Sequence, residues 1–298
     1  MIFNSFVDML LYGKPVVQKL LKQTKSRVKE YAPQGAYVWF LLASTDYASS
    51  VYVAKKQQYA TRCGLWSELF HSPDAVLVDV LAKITERNND ALCVWVVVQL
   101  PLWKQLKPFQ AQILHAVAPL KDVDWLGGEL FGLHLTEVVS FLPATPKATY
   151  ELLDWYGFGD LTGKVVTMVG QSNLMGKPFV VEAMRRRASV FTTNSTTPIS
   201  LLKDICKKSD YIVSATGIVW LLSADLFDHI NLSWKIIVDV GYGIKDGKAC
   251  GDSDWQDLAT LGATITPVPK GVGPVTVACL FHNLLALHTI RNGWVVDM

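Results

Sequence analysis

Two α/β domains, the second a doubly wound parallel sheet, are predicted by three observations. Apolar runs of strand length alternate with helix-length amphipathic segments along the chain. After Pro143 this alternation becomes regular enough to read as successive strand–helix units. Strand ends in that region carry glycines, at Gly170, Gly217 and Gly241, where a backbone must approach a ligand.

The elements follow in order. Lys14–Tyr31 sets Val16, Leu20, Leu21, Val28 and Tyr31 at helical spacing beneath a basic outer face. Residues 36–43 (AYVWFLLA) form a continuous apolar run, read as a buried strand. Residues 49–62 read as a helix stopped by Gly64. A helix over 74–86, a buried strand Cys93–Val98 and a helix over 109–117 come next. Residues 145–156 open the second domain as a helix. Then follow strand 164–169, helix 177–187, strand Ser189–Thr193, helix Ile199–Lys208, strands 211–216, 235–240 and 263–268, and a helix over 275–290. Residues 1–145, joined by the returning segment 277–298, are expected to form the first domain. Residues 146–276 form the second, a Rossmann-type sheet.

Half of the 298 residues are apolar, which supports a sizeable core and excludes disorder. The formal charge of +2, from 28 basic and 26 acidic residues, is too balanced to argue for nucleic acid or an anionic membrane surface. The five cysteines (Cys63, Cys93, Cys206, Cys250, Cys279) show no zinc-ligand spacing and no disulfide framework, which suits a reducing compartment. The start, MIFNSFVDMLLYGK, has no basic n-region and no long apolar h-region, so it is not read as a secretory signal. The apolar run 92–102 is too short to cross a bilayer and contains Pro101. A cytoplasmic protein acting on a small molecule is expected.

Two regions carry chemistry. In VGQSNLMGKP, Gly170, Ser172 and Asn173 precede a helix with Pro178 in its first turn, and free N–H groups there suit a phosphate. The run is not GxGxxG, and a glycine turn with a Ser/Asn cap explains it equally well. No acidic residue stands about one βα unit later, where an NAD site places one. Asn194, Ser195 and Thr196 stand there instead, after Arg185, Arg186 and Arg187, and this leans towards NADP. The arginines also fit a solvated helix end favoured by the dipole.

Ser49, Tyr52 and Lys56 fall at i, i+3 and i+7 and share a helix face, with Lys55 turned away. A tyrosine and a desolvated lysine on one face suit proton transfer, and a solvated lysine is the ordinary alternative. Gln99 ends an apolar strand, either as a cap or as a neutral partner for a lysine. In PLKDVDWLGG, extended alternation puts Asp122 and Asp124 on one side. No histidine or further carboxylate accompanies them at ligand spacing, so they are not a metal pair.

Six motifs occur in order: SxxYxxxK (Ser49, Tyr52, Lys56), VQLPL (Val98 to Leu102), PxKDVD (Pro119 to Asp124), TP (Thr145, Pro146), GxSNxxGKP (Gly170 to Pro178) and TPVPxGVGPxT (Thr266 to Thr276). The ordered set resembles the bifunctional methylenetetrahydrofolate dehydrogenase/cyclohydrolase family of FolD-type enzymes, over roughly residues 12–283. The resemblance implies oxidation of 5,10-methylenetetrahydrofolate with NADP, then hydrolysis of the methenyl product to 10-formyltetrahydrofolate, with no metal. It implies Lys56 as general acid–base, Tyr52 stacking on the folate, Gln99 tuning Lys56, and Asp124 holding the pterin ring. Ser49, Gly271, Gly273 and Pro274 complete the folate site. Gly170, Gln171, Ser172, Asn194, Ser195, Gly217, Gly241 and Tyr242 take the cofactor. A homodimer paired through the cofactor domain is also implied.

Six positions depart from the family pattern. Trp125 replaces the glycine after KDVD, Gln171 the arginine of GRS, and Asn194 the histidine of CHS. Trp103 replaces the second proline of LPLP, Ala144 the cysteine of PCTP, and Lys270 the first glycine of PGGVGP. Losing the arginine leaves NAD open as cofactor. A monofunctional NAD-dependent dehydrogenase therefore stays open, and the changed glycines leave open a catalytically degenerate folate- or nucleotide-binding scaffold. A hydroxy-acid dehydrogenase also stays open, for which His134 and His229 are candidates by residue type alone.

Overall fold

The computed structural model describes residues 10–136 and 142–291, without the side chains of Ala48 and of residues 284–291. The first nine residues, which open the segment read as lacking a secretory signal, lie outside the described residues. Two compact units divide the chain: Lys19–Ala144 with Val277–Met298, and Met1–Gln18 with Thr145–Thr276. The described residues 10–18 thus group with the second unit, whereas the sequence places them in the first domain. Leu10 makes a parallel bridge with Ile265, Leu11 N donates to Ile265 O at 2.9 Å, and Tyr156 Oη donates to Tyr12 O at 3.0 Å.

Helix α1 (Lys14–Tyr31) leads to β1 (Tyr37–Leu42), buried at every position. Helix α2 (Tyr47–Cys63) starts on Asp46, whose carboxylate accepts from Ser49 N at 2.8 Å. It stops at Gly64, in the left-handed region at φ 89, whose N–H returns to Ala60 O and Thr61 O. Strand β2 (Trp66–His71) follows, then α3 (Leu77–Asn89) and β3 (Cys93–Val98). Helix α3 begins three residues later than the sequence suggests, because Ala75 N closes a turn onto Ser72 O. The three strands lie in the order β2-β1-β3, all parallel. Trp39, Val80, Ile84, Val96 and Ile113 form the core beneath them. The chain continues through a 3-10 turn (Lys107–Phe109), α4 (Gln110–His115), a second 3-10 turn (Pro119–Lys121) and α5 (Glu129–Leu135).

In the other unit α6 (Ala144–Trp155) precedes β4 (Val165–Val169), α7 (Gly176–Arg185), β5 (Ser189–Thr193), α8 (Ile199–Lys208), β6 (Tyr211–Ser214) and β7 (Ile236–Asp239). A hairpin of β8 (Gly243–Lys245) and β9 (Lys248–Cys250) comes next, turning at Asp246 and Gly247, both with positive φ. Helix α9 (Trp255–Thr260), β10 (Thr264–Ile265) and α10 (Val272–Arg291) end the chain's described part. The sheet order is β10-β7-β6-β4-β5, all parallel. After β4 the chain goes to β5 on one side and then to β6 on the other. The carboxyl ends of β4 and β6 therefore flank a topological switch point, where open α/β sheets take their ligands.

Buried lysines close a helix in each unit. Lys235 Nζ donates to Cys206 O, Lys207 O and Ser209 O at 2.9, 2.9 and 2.7 Å, at the end of α8. Lys121 Nζ donates to Arg87 O and Asp90 O, both at 2.7 Å, at the end of α3. Each ammonium bonds carbonyls at a helix end, where intrahelical donors run out, and complements the dipole there. No helix among the described residues is long and apolar enough to cross a membrane.

Candidate active site

Helix α2 holds Lys56 half-buried while Lys55 is exposed, as the 3.6-residue spacing requires. Lys56 Nζ lies 3.8 Å from Asp124 Oδ2, with side-chain exposures of 15% and 22%. This pairing joins two residues that the sequence assigns to separate tasks. Tyr52, one turn earlier on α2, is half-buried, and Lys55 Nζ sits 5.6 Å from its ring centre. Ser49 is buried, and its hydroxyl donates to Asp46 Oδ2 at 2.8 Å. It therefore secures the start of α2, and its hydroxyl is engaged within the protein.

Gln99 follows β3, its N–H donating to Leu41 O at 2.9 Å. Its Nε2 donates to Leu100 O at 2.6 Å, and Oε1 is buried with no partner among the described residues. No hydrogen bond from Gln99 to Lys56 occurs among the described residues. The lysine's neighbour is the Asp124 carboxylate, and Gln99 offers a fixed acceptor.

The segment carrying Asp122 and Asp124 is not the extended strand that alternation suggests. A 3-10 turn precedes it, Asp122 bridges Val96 on the edge of the sheet, and Trp125 takes φ 57. The two carboxylates consequently have different partners. Asp122 Oδ2 accepts from Gly127 N at 2.8 Å, and Asp124 turns to Lys56. The left-handed region costs a non-glycine residue about 1–2 kcal/mol, and a bulky side chain there is an outlier. Trp125 stays because the residue is buried, 4% exposed, and its ring packs edge-on to His134, at 6.1 Å between centres. Lys270 has φ 94. Both positions where the family pattern has glycine and this chain does not thus lie at positive φ.

His134 is buried on α5, and His229 is exposed beside Asp225 at 2.9 Å. Neither stands at a strand end, as a hydroxy-acid dehydrogenase requires. Gly271, Gly273 and Pro274 belong to the unit holding the five-stranded sheet. Gly271 N donates to Pro267 O at 2.7 Å, and Gly273 and Pro274 fall in the first turn of α10, which starts earlier than the sequence suggests.

At the switch point, Gly170 follows β4 with φ 111, and a β-carbon there would meet Ala215 O at 2.7 Å. A β-carbon on Gly176 would meet Gly170 O at 2.2 Å, so α7 starts directly on the strand end. Ser172 Oγ accepts from Met175 N at 3.2 Å and Gly176 N at 3.4 Å. Gly217 (φ 73) and Tyr242 are exposed on the loops after β6 and β7. The crevice, its close-packed glycines and the exposed Ser172 fit a dinucleotide.

At 171 and 194, where the family pattern is basic, the side chains are neutral. Gln171 Nε2 donates to Thr192 Oγ1 at 2.9 Å, and Asn194 Nδ2 donates to Gln171 Oε1 at 3.1 Å. Asn194 Oδ1 accepts from Thr196 N and Oγ1, while Ser195 is exposed. Arg185 pairs with Glu182, and Arg186 pairs with Glu182 and Asp154 over the Tyr150 ring. These two arginines serve the helix rather than a ribose phosphate.

Sequence reasoning missed Asp239 and Asp252. Asp239, buried at the end of β7, accepts from Gly241 N (2.9 Å) and Asp252 N (3.1 Å) on Oδ1 and from Ser253 N (2.7 Å) on Oδ2. Asp252 Oδ2 accepts from Ser214 Oγ and Thr216 N, both at 2.6 Å, and from Thr216 Oγ1 at 2.9 Å. The run GDSDW gives no periodic or ligand-spacing signal that marks Asp252, and Asp239 reads only as the end of the apolar strand 235–240.

Burial pushes the carboxyls of Asp122 and Asp239 up to about 7, against donated backbone hydrogen bonds that lower them. Each holds its proton more tightly folded than unfolded, so its contribution is full below the unfolded value near 3.8 and is lost as pH rises through 7. The thermal midpoint is expected to fall from pH 5 to pH 7.5, a range in which ordinary carboxylates no longer titrate. Asp122→Asn with Asp239→Asn is expected to flatten that slope. A midpoint that rises over the range, by calorimetry, contradicts the assignment.

Residues 11–124 match the catalytic domain of tetrahydrofolate dehydrogenase/cyclohydrolase, and residues 143–292 match its NAD(P)-binding domain. A bifunctional protein FolD from Bacillus cytotoxicus is 33% identical over 281 residues, covering 93% of this chain and 95% of that protein. Among solved structures, the bifunctional FolD of Campylobacter jejuni superposes with a TM-score of 0.85 at 31% identity, covering 95% of this chain and 99% of that one. The Trypanosoma brucei FolD, complexed with NADP and an inhibitor, gives 0.86 at 26% identity, covering 95% of this chain and 98% of that one. The chain belongs to the tetrahydrofolate dehydrogenase/cyclohydrolase family.

Proposed function

We propose that the chain oxidises 5,10-methylenetetrahydrofolate with NADP and hydrolyses the resulting methenyl cation to 10-formyltetrahydrofolate. The observation that carries the reading is the Lys56–Asp124 pair on the catalytic-domain unit, with Tyr52 one turn away on the same helix. NADP supplies the hydride acceptor when bound. The protein's task is then to orient the folate and move protons.

In the hydrolytic step water adds to the methenyl carbon, and Lys56 takes a proton as the O–C bond forms. The C–N5 bond then breaks, N5 receives a proton through Lys56, and the formyl group stays on N10. The second proton of the water leaves to solvent, which balances the lost charge of the cation. Asp124 accepts from the 2-amino and ring N–H groups of the pterin, a pattern only an acceptor-only side chain satisfies. Its distance from Lys56 sets the ammonium near the same ring. Gln99 Oε1 supplies a second acceptor, Tyr52 a ring to stack on the folate, and Ser49 keeps α2 in place. By resemblance, Gly271, Gly273 and Pro274 also belong to the folate site.

Gly170, Gln171, Ser172, Asn194, Ser195, Gly217, Gly241 and Tyr242 take the dinucleotide. The neutral Gln171–Asn194 pair gives the 2′-phosphate no charge-assisted bond, so the preference for NADP is weaker than an arginine would set. Gln171→Arg is expected to raise kcat/KM for NADP roughly tenfold or more, since such a bond is worth about 1.5–3 kcal/mol. Methenyl formation followed by absorbance, with NADP and NAD in parallel, tests the reading. A native rate at least tenfold higher with NAD overturns the NADP assignment, and folate binding without turnover favours a scaffold.

The protein acts as a homodimer paired through the cofactor domain in the cytoplasm. Strand β5 is an edge of the five-stranded sheet and carries the exposed Phe191, which supports pairing there. A solution mass near that of one 33.1 kDa chain would sink the dimer.

A further inference from the structure

The loops after β6, β7 and β9 meet at two buried aspartates. Asp252 Oδ2 gathers Ser214 Oγ, Thr216 N and Thr216 Oγ1, and Thr216 Oγ1 in turn accepts from Ile218 N at 3.0 Å. The backbone of the same segment is pinned as well: Leu222 N donates to Asp252 O and Asp254 N to Leu222 O, both at 2.9 Å. Asp239 holds the following loop through Gly241 N and Ser253 N.

The packing is reciprocal. A β-carbon on Gly241 would lie 2.0 Å from Asp252 Oδ1, and one on Gly251 would lie 2.1 Å from Asp239 Oδ2. The Asp252 carboxylate by itself therefore requires glycine at position 241. Ile218, Trp220, Tyr242 and Ile244, all exposed, ride on the segments so joined, with Lys245 Nζ 3.2 Å over the Trp220 ring.

We propose that Asp252 is a positioning residue for the nucleotide: with Asp239 it ties the loops carrying Gly217, Gly241 and Tyr242 into the shape that receives NAD(P). The proposal rests on the dinucleotide reading of this crevice. Asp252 is buried and does not itself touch the ligand. Its effect therefore falls on nucleotide binding and spares the folate hydrolysis, which uses no nucleotide.

The test uses the full chain and two readouts, NADPH affinity from the cofactor's own fluorescence and hydrolysis of methenyltetrahydrofolate without nucleotide. Asp252→Ala is expected to weaken NADPH at least tenfold and leave hydrolysis within twofold. Asp252→Asn keeps an acceptor oxygen for Ser214 and Thr216, and is expected to restore NADPH binding to within threefold of the native value. NADPH affinity within twofold of native in Asp252→Ala overturns the proposal. So does hydrolysis falling in parallel with binding, or an asparagine variant as weak as the alanine one. If Asp252→Ala is insoluble, Thr216→Val removes one of the three donors, and several-fold weaker NADPH with unchanged hydrolysis is expected. Unchanged NADPH affinity there overturns the proposal. A native protein that binds no NADPH removes the underlying reading before any variant is compared.

Discussion

Replacing Lys56 by methionine is expected to lower hydrolysis of methenyltetrahydrofolate by roughly 10²–10⁴-fold, the usual worth of a general acid–base. Methionine preserves length and packing but carries no proton. The Asp124 carboxylate loses its neighbouring cation, yet both side chains reach solvent, so stability should change by no more than about 1 kcal/mol. The variant therefore separates chemistry from folding. NADPH affinity is expected to stay within twofold, because Lys56 lies on the catalytic-domain unit. Asp124→Asn is expected to raise KM for the folate while retaining more turnover than Lys56→Met. Hydrolysis by Lys56→Met within tenfold of native would sink the proposed mechanism.

Lys235→Met should have the largest effect on stability. The ammonium is wholly buried and satisfies three carbonyls at the end of α8. Methionine fills the same volume but leaves Lys207 O and Ser209 O facing an apolar chain, while Cys206 O keeps only Ser209 N at 3.3 Å. Each buried unsatisfied polar group costs about 1–3 kcal/mol, and partial rearrangement makes a net loss of roughly 3–5 kcal/mol reasonable. For a unit of this size that lowers the midpoint by about 10 °C. A shift under 2 °C in a thermal melt would mean that water or neighbouring donors reach those carbonyls. Lys121 makes the same kind of contact at α3 in the other unit with one fewer carbonyl, and a smaller loss is expected there.

The buried parts of the fold were legible in the sequence. Strands β1 and β3 are continuous apolar runs, and β4 to β6 alternate with helices of clear period. Strand β2 was not legible, because it is an edge with Trp66 76% exposed and carries the mixed run WSELFH. Helix α5 was hidden by Gly127, Gly128 and Gly132, which read as loop. The β8–β9 hairpin did carry a signal, Asp246-Gly247 between short strands, that the regular alternation around it obscures.

The site was legible unevenly. Shared helical spacing identifies the face that holds Tyr52 and Lys56, because it depends only on local geometry. The Lys56–Asp124 contact depends on how α2 and the segment after β3 pack, which no local period records. For the same reason the Gln99 amide bonds to its own neighbour rather than to Lys56. The sequence marks the glycines after β4 and β7 for a ligand's approach, and it does not record that the protein's own atoms also crowd them. Ala215 O crowds Gly170 and Asp252 crowds Gly241, and both contacts come from the protein itself.

The reciprocal fit of Gly241 with Asp252 and Gly251 with Asp239 also constrains how this corner can change over descent. A side chain at either glycine collides at once with a carboxylate. Shortening an aspartate instead opens a hole beneath a glycine and releases donors from the adjoining loops. Each step alone is unfavourable, and only paired replacements avoid the collision. Across relatives, positions 241 and 252, and likewise 251 and 239, should therefore vary together or not at all.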